Sequence, residues 1–143
     1  MTHKQLEALS SLIEQLKRNG LKVTKPRTAL LEVLLTNHGP FTAEELHKKI
    51  SKKLCDLATV YRCLTSMEEI HVLKRCEFGD GSARYELAQK NEHHHHHVIC
   101  VSCKKVEALD DCHLGDIDRF AQKKGFADVS HSLEFFGICS ACQ

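Results

Sequence analysis

Five consecutive histidines, His93 to His97, run through Val98-Ile99 into Cys100-Val101-Ser102-Cys103, and Cys139-Ser140-Ala141-Cys142 follows near the end of the chain. Two Cys-x-x-Cys pairs supply four soft thiolates, the ligand set of a closed tetrahedral zinc site. The histidines are too many for that one ion. Two kinds of metal position are therefore expected, one of sulfur donors and one of nitrogen and oxygen donors. The run is internal, with Glu92 before it and apolar Val98-Ile99 after it, whereas a purification tag sits at a terminus or beside a small-residue linker. Nor do the eight cysteines read as a disulfide framework. The opening Met1-Thr2-His3-Lys4-Gln5 leads into charged amphipathic sequence rather than a secretory signal, and in a reducing compartment paired Cys-x-x-Cys motifs serve metal or redox chemistry. A thioredoxin-like pair would follow a strand and open a helix in a βαβ unit, and neither pair has that setting.

The scaffold that must hold these ligands is small. A chain of 143 residues allows one domain or two short ones. No apolar run approaches the ~20 residues of a membrane helix, so a cytoplasmic protein without membrane contact is expected. The net charge of +1 hides an asymmetry: residues 1–62 carry 11 Lys/Arg against 6 Asp/Glu, and residues 63–143 carry 9 against 13. A basic first part joined to an acidic, ligand-rich second part points to a polyanion-binding module with a regulatory attachment.

Leu6, Leu9, Ile13 and Leu16 recur at helical spacing, and Asn19-Gly20 marks a stop. A second helix should open near Pro26 with Thr24 as cap and bury Leu30, Leu31, Leu34 and Leu35. Thr42-Ala43-Glu44-Glu45 is a capping box, opening a third helix that buries Leu46 and Ile50. A fourth runs from about Leu57 to Glu69, with Leu57, Val60, Leu64 and Met67 on one face. Val72 to Phe78, a Gly79-Asp80-Gly81 turn and Ala83 to Leu87 form a strand–turn–strand pattern. Short helices followed by a hairpin describe a winged helix-turn-helix, whose last helix enters the DNA major groove. On that helix lies Ala58-Thr59-Val60-Tyr61-Arg62. An aromatic followed by an arginine there can meet a thymine methyl and reach base edges or phosphates.

Residues 89–92 are polar and aperiodic and read as a hinge. Beyond it, His94 to Val101 reads as a strand, Lys105 to Leu109 as its hairpin partner, and Val129 to Ile138 as a last strand. Between them, Asp110-Asp111 should cap a helix that carries Leu114, Ile117, Phe120 and Ala121 and stops at Gly125. About 50 residues give too little core to stand alone, so zinc and oligomerisation are the expected supports. The fold class is thus α+β: a winged helix-turn-helix DNA-binding domain over 1–88, the hinge over 89–92, and a small α/β metal-binding dimerisation domain over 93–143. Strand alternation turns His93, His95 and His97 one way and His94 and His96 the other, so one run can feed two metal sites.

Gly20-Leu21-Lys22-Val23-Thr24-Lys25-Pro26-Arg27, Ala58 to Arg62, the histidines before Cys100-x-x-Cys103, and Cys139-x-x-Cys142 together resemble the ferric uptake regulator (Fur) family over nearly the whole chain. The resemblance implies a homodimeric or higher-order metal-dependent transcription factor, usually a repressor, on AT-rich palindromic double-stranded operators. It implies DNA contacts from Lys22, Arg27, Thr59, Tyr61 and Arg62, with Lys22 reaching a minor groove. It further implies structural Zn2+ at Cys100, Cys103, Cys139 and Cys142, and a regulatory metal at Glu86, His95 and His97. The family's fourth ligand falls at Pro40, beside which His38 is the nearest histidine; Cys76 and Glu107 are alternatives. An additional site would use His94, His96 and His131, with Glu107 as an oxygen donor. The family's usual helix glutamate falls on Leu114, leaving Asp111, Cys112 or His113 as substitutes.

Carboxylate and imidazole donors suit Fe2+, Mn2+ or Zn2+. Zinc-sensing relatives commonly place a cysteine where this chain has Glu86, and peroxide-sensing relatives have aspartate there, so Fe2+ is the expected regulatory ion and a zinc uptake regulator the alternative. Cys55 and Cys63 read as packing residues, and His47 and His71 as ordinary surface or boundary histidines. A zinc hydrolase or deaminase is not expected, because His-Glu-x-x-His is missing and neither Cys-x-x-Cys follows a proline. A metal storage or chaperone protein could use a histidine run without DNA. The Tyr61-Arg62 helix argues against it.

Overall fold

The structure, a computed structural model, describes residues 1–37, 39–88, 96–109, 114–129, 131 and 133–143. Contacts divide the chain into two compact units, Met1–Ala88 and Gln89–Gln143. The 89–92 hinge lies outside the described residues.

Local capping chemistry sets the helices of the first unit. Helix α1 (His3–Arg18) opens on a capping box in which Thr2 accepts from the Gln5 amide and Gln5 returns the bond to the Thr2 amide. Thr24 caps α2 (Lys25–Thr36), with Pro26 in the first turn, where its missing N–H costs nothing. The short strand β1 (Phe41–Thr42) leads into α3 (Ala43–Lys49), opened by the Thr42–Glu45 box. Asp56 Oδ1 accepts from the Thr59 amide at 2.8 Å and starts α4 (Leu57–Glu69). Strands β2 (Leu73–Glu77) and β3 (Ala83–Leu87) form the hairpin, with Gly79 and Gly81 in the left-handed conformation at its bend. Strand order is β1-β3-β2.

The core of this unit is continuous. Leu16, Leu30, Leu31, Leu46, Val60, Leu64 and Met67 are fully buried, with Leu9, Leu34, Ile50, Val72, Leu73 and Tyr85 around them. Leu6 is exposed, so the apolar stripe of α1 reaches the core from Leu9 onward. Strand β1 was not expected from the sequence. Two residues carry no readable alternation, and they become a strand only by pairing Phe41 with Tyr85 and Thr42 with Arg84.

The second unit is a sheet of order β5-β4-β6 with one helix. Strand β4 (His96–Cys100) pairs antiparallel with β5 (Val106–Leu109) and parallel with β6 (Glu134–Gly137), while α5 (Gly115–Lys123) lies in the crossover that parallel pairing requires. Two expectations need correction. Helix α5 begins at Gly115, with Leu114 at the cap position and no side-chain cap bond; Asp116 and Asp118 in its first turn offer negative charge to the exposed amides instead. The proposed capping pair Asp110-Asp111 lies outside the described residues. The last strand is Glu134–Gly137 rather than 129–138, because it pairs only along His97–Cys100.

Ile99 and Cys100 are buried, and so are His96 and His97 despite facing opposite sides of the sheet. In contrast, Ile117 is 62% and Phe120 69% exposed, and Phe126, Phe135 and Phe136 are exposed as well. No helix among the described residues is long and apolar enough to cross a membrane.

Candidate metal centres and nucleic-acid face

The parallel pairing of β4 with β6 carries the two Cys-x-x-Cys pairs to one end of the sheet, where Cys100 N–H reaches Lys105 O and Val101 N–H reaches Gly137 O. Ligand atoms of Cys100, Cys103, Cys139 and Cys142 all lie within 4.8 Å of one another. Cys103 Sγ and Cys139 Sγ are 3.7 Å apart. That is far beyond a disulfide bond and close to the edge of about 3.8 Å expected for a tetrahedron of 2.3 Å Zn–S bonds. The amides of Cys103 and Cys139 both donate to Cys100 Sγ, at 3.5 and 3.4 Å. These bonds, chiefly that from Cys139, draw the Cys100 thiol down to about 6. The neighbouring Cys139 and Cys103 sulfurs push Cys142 up to about 12. Four thiolates cannot gather here without a cation, and a closed zinc site is the chemistry the donor set fits.

A second cluster sits on the other half of β4. His96 Nε2 lies 3.1 Å from His131 Nε2, with ring centroids 5.0 Å apart. His96 Nδ1 is 3.1 Å from Leu133 O. His131 Nδ1 is 2.9 Å from both carboxylate oxygens of Asp118 on α5. His94 lies outside the described residues, as do Asp111, Cys112 and His113. Glu107 is exposed on β5 and bound to Lys105 Nζ at 2.7 Å, which lowers its carboxyl pKa. Register sets Glu107 opposite Val98, two residues along from His96.

Of the proposed regulatory ligands, Glu86 is half-buried on β3 and His97 is 2% exposed on β4. His38 and His95 lie outside the described residues. Cys76, buried on β2, has its Sγ 3.7 Å from Glu86 Oε1. The wing therefore presents a carboxylate with a thiol beside it.

On the first unit, Tyr61 is 41% exposed on α4 and its hydroxyl donates to Glu44 Oε1 at 2.6 Å. That bond lowers the Glu44 pKa and raises that of Tyr61. Arg62 donates to Thr59 Oγ1 at 2.9 Å, and Lys22 is exposed. Arg27 differs from these. Its guanidinium donates to Lys22 O at 2.7 Å and to Ser66 Oγ at 3.3 Å, tying the loop before α2 to α4.

The model of the ferric uptake regulator family matches residues 18–136. The chain belongs to the ferric uptake regulator family. It is 36% identical over 137 residues to the ferric uptake regulation protein of Neisseria meningitidis serogroup C, covering 93% of this chain and 94% of that protein. It is also 33% identical over 138 residues to the peroxide-responsive repressor PerR of Staphylococcus aureus strain Mu50, covering 94% and 91%. The Helicobacter pylori ferric uptake regulator Fur, whose structure reveals three functional metal binding sites, superposes with a TM-score of 0.77 at 30% identity over 94% of this chain and 93% of that one. Membership makes this chain a metal-responsive, DNA-binding transcription regulator with an α+β, winged-helix fold.

Three residues at these sites carry little or no signal in the sequence. Asp118 stands four residues beyond Leu114, one helical turn along, and that spacing was its signal. Glu44 and Ser66 gave none, because their partners are 17 and 39 residues distant.

Proposed function

We propose that the chain is an iron-responsive repressor that binds AT-rich palindromic operators as a homodimer. On this reading Met1–Ala88 binds DNA through Lys22, Thr59, Tyr61 and Arg62, while residues 93–143 hold metal and pair the copies, with 89–92 as hinge. The four cysteines hold structural zinc. Glu86, His95 and His97, with His38, hold the regulatory ion, and His94, His96 and His131 an additional one. The observation that carries the iron assignment is Glu86 on the wing, a hard carboxylate donor rather than a cysteine. The exposed Ile117, Phe120, Phe135 and Phe136 support pairing with a second copy.

When bound, the regulatory ion supplies positive charge and a fixed coordination geometry. The residues do the rest. An ion that binds one arrangement of the ligands more tightly raises operator affinity by the same coupling free energy with which DNA raises metal affinity, typically ~1–3 kcal/mol. Zinc sensing is the second reading, favoured by Cys76 lying 3.7 Å from Glu86. Anaerobic titration of the zinc-loaded dimer with Fe2+, Mn2+ and Zn2+ in an operator-binding assay separates the two. Activation by Fe2+ at a concentration where Zn2+ adds nothing supports iron, and the reverse order overturns it.

A further inference from the structure

Two imidazole rings meet edge to edge at His96 and His131, and hydrogen bonding fixes which nitrogen of each faces the other. Leu133 O can only accept, so His96 Nδ1 carries the hydrogen. The Asp118 carboxylate likewise accepts, from His131 Nδ1, at 2.9 Å to each oxygen. With both rings neutral, as metal-ligating imidazoles are, each has one N–H and turns an Nε2 lone pair toward its neighbour, 3.1 Å away. Two lone pairs at that distance repel unless a positive species lies between them. Adjacent ligands of an ion with 2.0–2.1 Å Zn–N bonds stand about 2.9–3.4 Å apart, which brackets the observed spacing.

Asp118 occupies the far edge of the His131 ring. Both its oxygens lie at Nδ1, and it does not join His96 and His131 in a set of ligand atoms within 4.8 Å of one another among the described residues. We infer that Asp118 is a positioning residue, the outer-sphere carboxylate that holds His131 with its Nε2 lone pair aimed at a metal shared with His96. This rests on the additional-site reading above and deepens it. A helix carboxylate one turn beyond Leu114 does not replace the oxygen ligand at that position; it makes an imidazole a better donor. The donors turned toward that metal are nitrogens, from His96 and His131. Imidazole nitrogens suit a borderline ion such as Zn2+ better than Mn2+. Carboxylate–histidine–metal arrangements of this kind are worth about 10- to 100-fold in metal affinity.

The test uses the full chain labelled with 15N-histidine, with the cysteine site zinc-loaded, in wild type, Asp118→Asn, Asp118→Ala and His131→Gln. Zinc equivalents and affinity are read by chelator competition, and the His131 tautomer by long-range 1H–15N correlation. Retention of the cysteine-bound zinc reports folding in each variant. His131→Gln should lose one further zinc equivalent. Both Asp118 variants should keep that equivalent with affinity weakened about 10- to 100-fold, and Asp118→Asn should move His131 toward the Nε2–H tautomer. Unchanged affinity and tautomer in Asp118→Asn overturn the positioning role while the site stands. Complete loss of the equivalent in Asp118→Ala, as in His131→Gln, overturns it in favour of direct ligation. A full zinc count in His131→Gln overturns the site reading itself.

Discussion

Arg27 and Arg62, both expected at DNA, are held by different partners. Arg62 hydrogen-bonds Thr59 on its own helix, whereas Arg27 bridges Lys22 O and Ser66 Oγ. Arg62→Ala should leave the thermal midpoint close to wild type and reduce the slope of log affinity against log salt by about 1. Arg27→Ala should instead lower stability by about 1.5–3 kcal/mol, the range for hydrogen bonds from a charged group. Thermal unfolding and salt-dependent operator binding on both variants check the contrast. Equal salt slopes and equal loss of stability would contradict it. The cysteines give a second residue-scale prediction. Cys100 anchors the cluster by accepting two backbone amides, so Cys100→Ser should lose one zinc equivalent and hydrogen-exchange protection over residues 96–143, because structural zinc binding is folding free energy. Retained zinc in that variant would remove the structural role. That these four cysteines come together was legible from the spacing of the two Cys-x-x-Cys pairs. Arg27's clamp was not, because Ser66 lies 39 residues away.

Elements whose signals are local were readable from the sequence. Thr24, Thr42 and the apolar periodicity located α2, α3 and α4, since caps and spacing act within a few residues. Strand β1, the start of α5 and the length of β6 were not readable. Each is decided by a pairing partner distant in sequence or by a cap position, Leu114, that carries no side-chain bond. The wing hairpin offers a test of an element by pH. Asp80 at its bend bonds Arg84 at 2.9 Å, and this bond, with the Ser82 amide, holds the Asp80 carboxyl below its usual value. A carboxyl depressed in the folded state contributes stability that is fully present above the unfolded value of about 3.9. That contribution is lost as pH falls through the lower folded value. Asp80→Asn should therefore lower stability at neutral pH and flatten the acid limb between about pH 4 and the folded value. An acid unfolding titration with the same limb in wild type and variant would rule out this contribution.

At the scale of the molecule, the first unit carries its own buried core, while the second exposes Ile117, Phe120, Phe126, Phe135 and Phe136. Exposed apolar side chains in such number are expected to be covered in part by another copy. Ile117→Glu combined with Phe120→Glu should shift the protein toward monomer in sedimentation equilibrium; an unchanged dimer would place the pairing elsewhere. In the proposed function, a regulatory ion bound through Glu86 and the histidines governs DNA affinity. The most direct measurement is anaerobic binding of an AT-rich inverted repeat, at one salt concentration, by wild type and Glu86→Ala with and without Fe2+. Binding should be at least tenfold tighter with Fe2+, about 1.4 kcal/mol, and Glu86→Ala should lose that difference while retaining the cysteine-bound zinc. Equal affinity with and without Fe2+ in wild type, or full metal dependence in Glu86→Ala, would contradict it.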